Sequence, residues 1–340
     1  MSKEKYSAQA ESMIEELEKL FGKGTVLLGI DKEPYGDIIP SSSFSFNYAS
    51  GIGGVAKKKI YDIYADPSAG KSTLGYDLIG NCQKKFGEWA LLIDKEDSYS
   101  PNYGAAMGID NEKLIVMNNK SSKIESLEDM YDVLRKAIES NKFGVIVVDS
   151  VTSFAPQSKF EDSAVMGVEA RVNSDKMRLI NNLMPKSNTC LLLLRQSRQS
   201  IGGFGNPITV SGGTAIPFYS HVRVWVTRSE IDRELGKNKI KFNFVKNKMS
   251  VPFKIGVTLY DWKEGFDSAS ECGDLALEFG IINISGKKYT LPNIEESITG
   301  KKKVVEYLKN NPDYVSTVLQ PLVENKLNNS EEIVEEPDVQ

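Results

Sequence analysis

Residues 65–73, ADPSAGKST, nearly match the loop pattern G-x-x-x-x-G-K-[ST] that binds nucleotide phosphates. In such a loop we expect Lys71 to bridge the terminal phosphates and the Ser72 hydroxyl to hold Mg²⁺. Ala65 stands where the pattern has glycine, and its methyl group excludes binding only if that position requires a positive φ. A plain strand-to-helix turn is the alternative, and GKST alone leaves both interpretations open. The candidate nucleotide-binding residues of the loop are Asp66, Pro67, Ser68, Ala69, Gly70, Lys71, Ser72 and Thr73.

The segments on both sides of this loop have the patterns that position a phosphate site. KIYDIYA at 59–65 is rich in β-branched and aromatic residues and predicts a strand. STLGYDLIGNCQKKFG at 72–87 has apolar residues at helical spacing. Strand, loop and helix in this order direct backbone N–H groups and a helix N-terminus at the phosphates.

Three further apolar runs each end in polar residues, as the strands of a parallel sheet do at a ligand site. KFGVIVVDS ends near Asp149, which we expect to hold Mg²⁺ through water. EWALLIDKED contains Glu96, which could orient and deprotonate an attacking water. CLLLLRQS ends in Arg195 and Gln196. Each polar residue alone could be a helix cap or a surface residue, but their common position at strand ends favours a site.

Composition limits the other interpretations. The 340 residues have a net charge of −4, and the tail LNNSEEIVEEPDVQ holds five of the 46 acidic residues and no basic one, so the rest is about neutral. Any nucleic-acid binding must therefore use a local patch. No apolar run is long enough to span a bilayer, the N-terminus lacks an apolar signal-peptide core, and the three cysteines are widely spaced. We expect a cytoplasmic protein with reduced cysteines.

The chain resembles the bacterial RecA recombinase family over nearly its whole length, although only weakly after Asn293. The resemblance implies an α/β fold with a RecA-type phosphate-loop ATPase core around a mostly parallel, twisted central sheet. It also implies an N-terminal helix–strand arm and a small C-terminal α+β lobe. The segments that carry it are LEKLFGKGTVLLG, ADPSAGKSTL, LLIDKEDSYSPNYGAAMGID, VIVVDSVTSFAPQ, IGGFGNPITVSGGTAIPFYSHVRV and VKNKMSVPFK.

The resemblance implies roles for individual residues. Lys71 and Ser72 correspond to the phosphate lysine and the Mg²⁺ hydroxyl, Glu96 to the catalytic glutamate and Asp149 to the Mg²⁺ aspartate. Tyr103 corresponds to the tyrosine that stacks on adenine, Gln196 to the glutamine that senses the γ-phosphate, and Lys246 and Lys248 to the pair that reaches a neighbouring subunit's ATP. The chain departs from the family pattern at Ala65, at Asp66-Pro67, at Ser100 and at Lys263.

Residues 201–213, IGGFGNPITVSGG, contain five glycines without periodicity and predict a functional loop. Ile201 and Phe204 are expected to wedge between bases or stack on them. The family uses this loop for single-stranded DNA together with an earlier loop, EDSAVMGVEAR, in which Met166 would be the wedge. Local loop packing and surface solvation are the alternative roles. The remaining DNA-binding candidates are Arg171 and Arg178 on one helix face, Gly212, Gly213 and Arg228.

We predict four regions. Residues 1–35 form a polymerisation helix, with one apolar face, and a short strand at GTVLLGI; the helix packs either on its own domain or on the next subunit. Residues 36–267 form the ATPase core with DNA-binding loops near 157–171 and 197–213. Residues 268–326 form the lobe, and residues 327–340 a disordered acidic tail.

The expected function is that of an ATP-dependent recombinase with Mg²⁺ as cofactor. It forms a helical homo-oligomeric filament on single-stranded DNA, with ATP at the subunit interfaces, and pairs that strand with homologous duplex DNA. Loading, mediator and single-strand-binding proteins are expected partners, and a membrane is not. The resemblance also implies a location in a bacterial cell or in a phage-infected bacterial cell. A ring-forming helicase motor and a non-hydrolysing structural filament protein are the alternatives.

Overall fold

The computed structural model of the chain describes residues 8–29, 35–120, 124–159, 167–199, 208–232, 237–261 and 265–330. The chain divides into two compact units, residues 1–36 and residues 37–340. In the first unit, helix α1 (Ala8–Phe21) has the predicted amphipathic sequence, and its apolar residues Met13, Leu17, Leu20 and Phe21 are exposed. The strand predicted at GTVLLGI is wrong for the described residues 24–29, which form none. Apolar alternation predicts a strand only where a second strand is present to accept its hydrogen bonds.

The second unit contains the remaining elements. Its helices are α2 (Phe44–Ser50), α3 (Lys71–Phe86), α4 (Pro101–Ala106), α5 (Leu127–Ser140), α6 (Val168–Leu183), α7 (Ala215–Tyr219), α8 (Ser268–Glu278), α9 (Lys301–Asn310), α10 (Pro312–Tyr314) and α11 (Gln320–Ser330). Its strands are β1 (Ile38–Ile39), β2 (Val55–Ala56), β3 (Ile60–Ala65), β4 (Trp89–Asp94), β5 (Leu114–Asn118), β6 (Phe143–Asp149), β7 (Cys190–Gln199), β8 (Ile208–Val210), β9 (Val222–Asp232), β10 (Lys237–Asn247), β11 (Ile255–Asp261), β12 (Gly265–Phe266), β13 (Asn283–Ser285), β14 (Lys288–Thr290) and β15 (Ile298–Thr299).

A ten-stranded sheet forms the centre of this unit, and it confirms the predicted mostly parallel α/β core. Its strand order is β12-β11-β10-β9-β3-β7-β6-β4-β5, with β8 paired to the end of β7. Strands β5, β4, β6, β7, β3 and β9 are parallel, whereas β10, β11 and β12 extend the sheet by antiparallel pairing. The predicted hairpin of HVRVWVTRS and KIKFNFVKNK is thereby confirmed as β9 and β10.

Helices cover both faces of the parallel strands, which explains why those strands are apolar on both sides. On one face, α3 packs Leu74 and Leu78 against Val147 and Leu192. On the other face, α5 and α6 pack against Ile146, Leu191 and their neighbours. The two faces therefore hold the ends of β3, β4, β6 and β7 in fixed register at one edge of the sheet.

The C-terminal lobe has a separate hydrophobic core built from α8, α9, α11 and the small sheet β13–β15. Glu271 of α8 connects this lobe to the main sheet, because its carboxylate accepts hydrogen bonds from Ser43, Ser45 and Thr258. Helix α11 continues to Ser330, so the disordered tail predicted from residue 327 is wrong for residues 327–330, because Leu327 packs against the core of the lobe. The rest of the predicted tail lies outside the described residues. All three cysteines are buried free thiols, as expected. Among the helices that the structure describes, none combines the length and the apolar character needed to cross a bilayer.

Candidate functional site

The phosphate loop connects β3 to α3, in the strand–loop–helix order predicted. Ala65 is the last residue of β3, is fully buried, and pairs with Gln196 and Val226 on the neighbouring strands. Its φ is not positive, so the alanine fits the backbone without strain. Gly70 has a φ of 96°, and a Cβ there would lie 2.6 Å from Ile240 Cδ1. The conformation thus requires glycine at the second conserved position of the pattern and not at the first.

A pocket of about 320 Å³ opens at this loop. It brings together predicted residues from α3, α4 and the ends of β4 and β7, and it adds two residues that the sequence did not single out, Tyr76 and Ser98. Of the residues predicted to bind the nucleotide or its metal, Asp66, Ala69 and Asp149 do not line this pocket. A larger pocket of about 580 Å³ lies elsewhere, beside α2 and α11, so size alone does not identify the site. The lining residues of the smaller pocket are Pro67, Ser68, Gly70, Lys71, Ser72, Thr73, Tyr76, Glu96, Ser98, Tyr103 and Gln196.

Lys71 lies between two carboxylates at the base of the pocket. Its Nζ is 2.8 Å from Asp149 Oδ1 and 3.6 Å from Glu96 Oε1. Burial raises the pKa of Asp149, although the charge of Lys71 and a hydrogen bond from Ser72 oppose the shift. For Glu96, burial alone would raise the pKa, but a hydrogen bond from Ser150 and the charge of Lys71 more than offset it, and the pKa is lowered. Glu96 is therefore anionic at neutral pH, as a residue that orients water must be.

The residues present fit a hydrated Mg²⁺ ion. The Oδ2 atom of Asp149 is buried and has no hydrogen-bond partner among the residues that the structure describes. Ser72 lines the pocket, and its hydroxyl lies 3.5 Å from Lys71 Nζ, which in turn contacts Asp149. Within the described part of the chain, no group of three or more His, Cys, Asp and Glu side chains could hold a metal by itself. One hydroxyl and one carboxylate that binds through water are the ligands expected for a metal that arrives with a nucleotide.

Two hydrogen bonds connect this site to the strand that leads into the second predicted DNA-binding loop. Gln196 Nε2 donates to Glu96 Oε1 at 2.8 Å. The Ser197 hydroxyl donates to Asp66 Oδ1 of the phosphate loop. Because Gln196 and Ser197 are consecutive in β7, both Glu96 and the phosphate loop are attached to the start of residues 197–213. The resemblance implied that Gln196 passes a signal to this loop, but the sequence indicated neither hydrogen bond.

Three hydroxyls meet beside the pocket, and two of them belong to the lining residues Thr73 and Tyr103. The Tyr103 hydroxyl lies 2.8 Å from that of Tyr260 and 2.9 Å from that of Thr73. Tyr260 was missed by the sequence analysis because it belongs to β11, which is distant in sequence and carries no motif. It holds Tyr103, the tyrosine expected to stack on adenine, at a fixed position.

Lys246 and Lys248 lie far from the phosphate loop of their own chain. Lys246 in β10 pairs with Arg223 of β9, which in turn pairs with Asp62, three residues before the end of β3. Its Nζ donates to two carbonyl oxygens of α7, at 2.7 and 2.9 Å. Burial and the charges of Lys248 and Arg223 lower the pKa of Lys246. The structure therefore does not bring these two lysines together with the other predicted nucleotide residues.

The structure describes five of the DNA-binding candidates, Arg171, Arg178, Gly212, Gly213 and Arg228. Arg171 and Arg178 are exposed on α6, and Arg228 is exposed on β9 beyond the residues that pair with β3. Asn173 of α6 donates to the Gly212 carbonyl oxygen at 2.9 Å, and a Cβ on Gly213 would lie 2.7 Å from Ala170 Cβ. The helix that follows the first loop thus holds the end of the second. Three further candidates, Met166, Ile201 and Phe204, lie outside the described residues.

The sequence grouped Arg195 with the polar residues at strand ends that form a ligand site, but Arg195 does not line the pocket. It is fully buried, and its guanidinium binds Asp62 through Nε at 2.7 Å and Nη2 at 2.5 Å. Arg223 donates to the same carboxylate, and Arg195 Nη1 donates to the Ser211 carbonyl oxygen. A buried ion network thus connects β3, β7 and β9 to the end of the second loop.

Together, the loop between β3 and α3, Lys71, and the carboxylates that follow β4 and β6 define a phosphate-loop nucleotide-binding protein of the α/β class. The sequence model of the family described as the RecA N-terminal domain matches residues 8–267. The chain belongs to the RecA family. It is a recombinase of that family, and the family in general binds nucleotide and DNA and forms oligomers.

Relatives named Protein RecA align with most of the chain. The protein of Mycoplasma mycoides subsp. mycoides is 36% identical over 322 residues, which cover 92% of this chain and 91% of that protein. The protein of Mesoplasma florum is 35% identical over 315 residues, covering 90% and 92%. The protein of Francisella tularensis subsp. tularensis is 34% identical over 344 residues, covering 97% and 93%.

Proposed function

We propose that this chain is an ATP-dependent DNA recombinase that forms a helical filament on single-stranded DNA and catalyses homologous pairing and strand exchange. The observation that carries the proposal is the hydrogen bond between Gln196 and Glu96, because it joins the nucleotide pocket to the strand that enters residues 197–213. A change at the phosphates can thereby alter the position of the loop. Family membership supplies the recombinase class, and this contact supports the coupling between nucleotide and DNA.

In this proposal the loop N–H groups and Lys71 bind the phosphates of ATP, and Tyr103 stacks on the adenine. Ser72 and Asp149 hold Mg²⁺, which neutralises phosphate charge when bound. Lys71 exchanges its contact with Asp149 for one with a phosphate oxygen, and this leaves the carboxylate free to accept hydrogen bonds from water. Glu96 orients the attacking water and takes its proton, and Gln196 reports whether the terminal phosphate is present.

The filament completes the nucleotide site. Lys246 and Lys248 act on the ATP of a neighbouring subunit, which their distance from their own phosphate loop supports. The exposed apolar residues of α1 dock on the next copy, since an isolated amphipathic helix with four exposed large apolar side chains is stabilised by covering them. Hydrolysis changes the subunit contact and loosens the filament.

DNA binding relies on repetition rather than on a strongly basic subunit. Arg171, Arg178 and Arg228 contact phosphates in each copy, and Ile201, Phe204 and Met166 contact bases. Because every subunit of a filament presents the same few cations to one strand, weak contacts add up to tight binding. The C-terminal lobe helps to capture duplex DNA, and loading and single-strand-binding proteins are the further partners proposed. The reaction takes place in the bacterial cytoplasm.

ATP hydrolysis with and without single-stranded DNA tests the proposal. DNA should stimulate hydrolysis strongly in the wild type, and Lys71→Ala should abolish it in both conditions. Lys84→Ala, which changes an exposed lysine at the other end of α3, is the matched control and should behave as the wild type. DNA binding without turnover would favour a structural filament protein. Closed hexamers without helical filaments in electron micrographs would favour a ring motor.

A further inference from the structure

Tyr76 lies at the nucleotide pocket but has no role in the account above. It follows Ser72 by four residues in α3 and therefore lies on the same face of the helix. Helical side chains lean toward the N-terminus, so its ring extends back toward the phosphate loop. The ring is 2% exposed and packs edge-on against the rings of Tyr99 and Tyr103, at centroid distances of 5.3 and 5.9 Å. The residue is nevertheless part of the pocket wall.

The hydroxyl of Tyr76 is buried and has no hydrogen-bond partner within the described ranges. Two other buried tyrosines have paired hydroxyls. The Tyr61 hydroxyl accepts from the Ala56 N–H at 2.7 Å, and the Tyr131 hydroxyl donates to Asn173 at 2.7 Å. A phenylalanine would fill the same core volume without leaving a polar atom unpaired, so the hydroxyl lowers stability unless something binds it.

The surroundings of this hydroxyl indicate what it binds. Burial raises the pKa of this hydroxyl, the neighbouring Ser98 side chain lowers it without lying in hydrogen-bonding geometry, and the charges of Asp149 and Asp94 raise it further, so the phenol stays neutral in negative surroundings. Such surroundings disfavour a phosphate oxygen and favour a group that donates hydrogen bonds and carries positive charge. Asp149 Oδ2, the other unpaired buried oxygen at this site, is also an acceptor.

We propose that the Tyr76 hydroxyl accepts a hydrogen bond from a water in the hydration shell of the Mg²⁺ that accompanies the nucleotide. Tyr76 thereby makes the pocket selective for metal-loaded nucleotide over free nucleotide. The inference rests on the nucleotide part of the proposed function and is independent of DNA binding. Tyr76 is a positioning residue for the metal and takes no part in proton transfer.

The variant Tyr76→Phe removes this oxygen and keeps the ring. Thermal unfolding is measured on the full chain without nucleotide, and a fluorescent ATP analogue is titrated with Mg²⁺ and, separately, with EDTA. We expect the melting temperature to stay the same or to rise. We expect affinity with Mg²⁺ to fall roughly fivefold to tenfold, as for one lost hydrogen bond, and affinity in EDTA to be unchanged.

The matched control is Tyr99→Phe, because Tyr99 contacts the same ring but donates its hydroxyl proton to Asn111 at 2.5 Å and does not line the pocket. This variant should lower the melting temperature and leave both affinities unchanged. The two variants thus differ in both the melting temperature and the affinity with Mg²⁺, and this difference separates a ligand-binding hydroxyl from a structural one.

Three results would overturn the inference: a lower melting temperature together with weaker binding in both solutions, equal loss of affinity with Mg²⁺ and with EDTA, or no change in any measurement. The first indicates a structural role, the second a contact with the nucleotide itself and the third no role. The proposed function fails separately, if the wild type binds the analogue but DNA does not stimulate its hydrolysis.

Discussion

The location of Lys246 leads to a quantitative prediction about mixed filaments. Strand β9 lies between β10 and β3, so β10 is two strand spacings, about 10 Å, from β3. Lys246 is level with Asp62, three residues before Ala65, which adds about 10 Å along the strand. A lysine side chain spans only about 6 Å from Cα to Nζ. Lys246 therefore does not reach the phosphates bound by its own chain, and the proposed role on ATP requires a neighbouring subunit.

The test mixes two inactive variants, Lys71→Ala and Lys246→Ala, in equal amounts. An interface is active when one subunit supplies Lys71 and its neighbour supplies Lys246. If subunits mix at random, about one quarter of the interfaces are active, so DNA-stimulated hydrolysis should recover to about a quarter of the wild-type rate. The assay is phosphate release on single-stranded DNA at a fixed total protein concentration.

Mixtures of either variant with the wild type provide the control and should each give about half of the wild-type rate. Thermal unfolding verifies that both variants are folded. If the two variants together show no more activity than each alone, while the wild-type mixtures give half, the lysine acts within its own chain and the assignment to the neighbour is refuted.

Three further predictions concern single positions. Ala65→Gly should lower the free energy of unfolding by about 1 kcal/mol, because it removes a buried methyl group and adds backbone freedom, and it should leave Mg²⁺–ATP affinity unchanged in a titration. Ser197→Ala should reduce the stimulation of hydrolysis by DNA several-fold because it removes the contact with Asp66, whereas Ser197→Thr, which keeps a hydroxyl, should retain the stimulation. Burial and then the nearby lysines lower the pKa of His221 from 6.5 to about 4. The unfolded chain therefore binds a proton first, and unfolding in urea should show a loss of about 2 kcal/mol as the pH falls from 6.5 to 4, a loss that His221→Asn abolishes.

Local patterns predicted the main site because its parts are local or are fixed by topology. The strand, loop and helix around Lys71 are continuous in sequence. Glu96, Asp149 and Gln196 come from three separate strands, but each follows an apolar run, and parallel strands place such residues at one edge of a sheet. Their convergence could therefore be predicted without knowing the strand order.

Other features depend on which strands become neighbours. Tyr260 contacts Tyr103 only because the fold brings β11 next to α4, and nothing in either segment indicates this contact. The Asp62 carboxylate, inside an apolar strand, is paired only because β7 and β9 both adjoin β3 and supply Arg195 and Arg223. The wrong strand at GTVLLGI has the same origin, since a strand requires a neighbour that local sequence does not specify.

The most direct test of the central proposal is strand exchange between circular single-stranded DNA and linear duplex DNA, followed by gel electrophoresis. The proposal predicts joint molecules and then exchanged products only when ATP and Mg²⁺ are present and the two DNAs are homologous, with none for Lys71→Ala. Separation of the duplex strands in the absence of homologous single-stranded DNA would contradict it and indicate a helicase. No products from homologous DNA, under conditions in which the wild type hydrolyses ATP, would likewise contradict it.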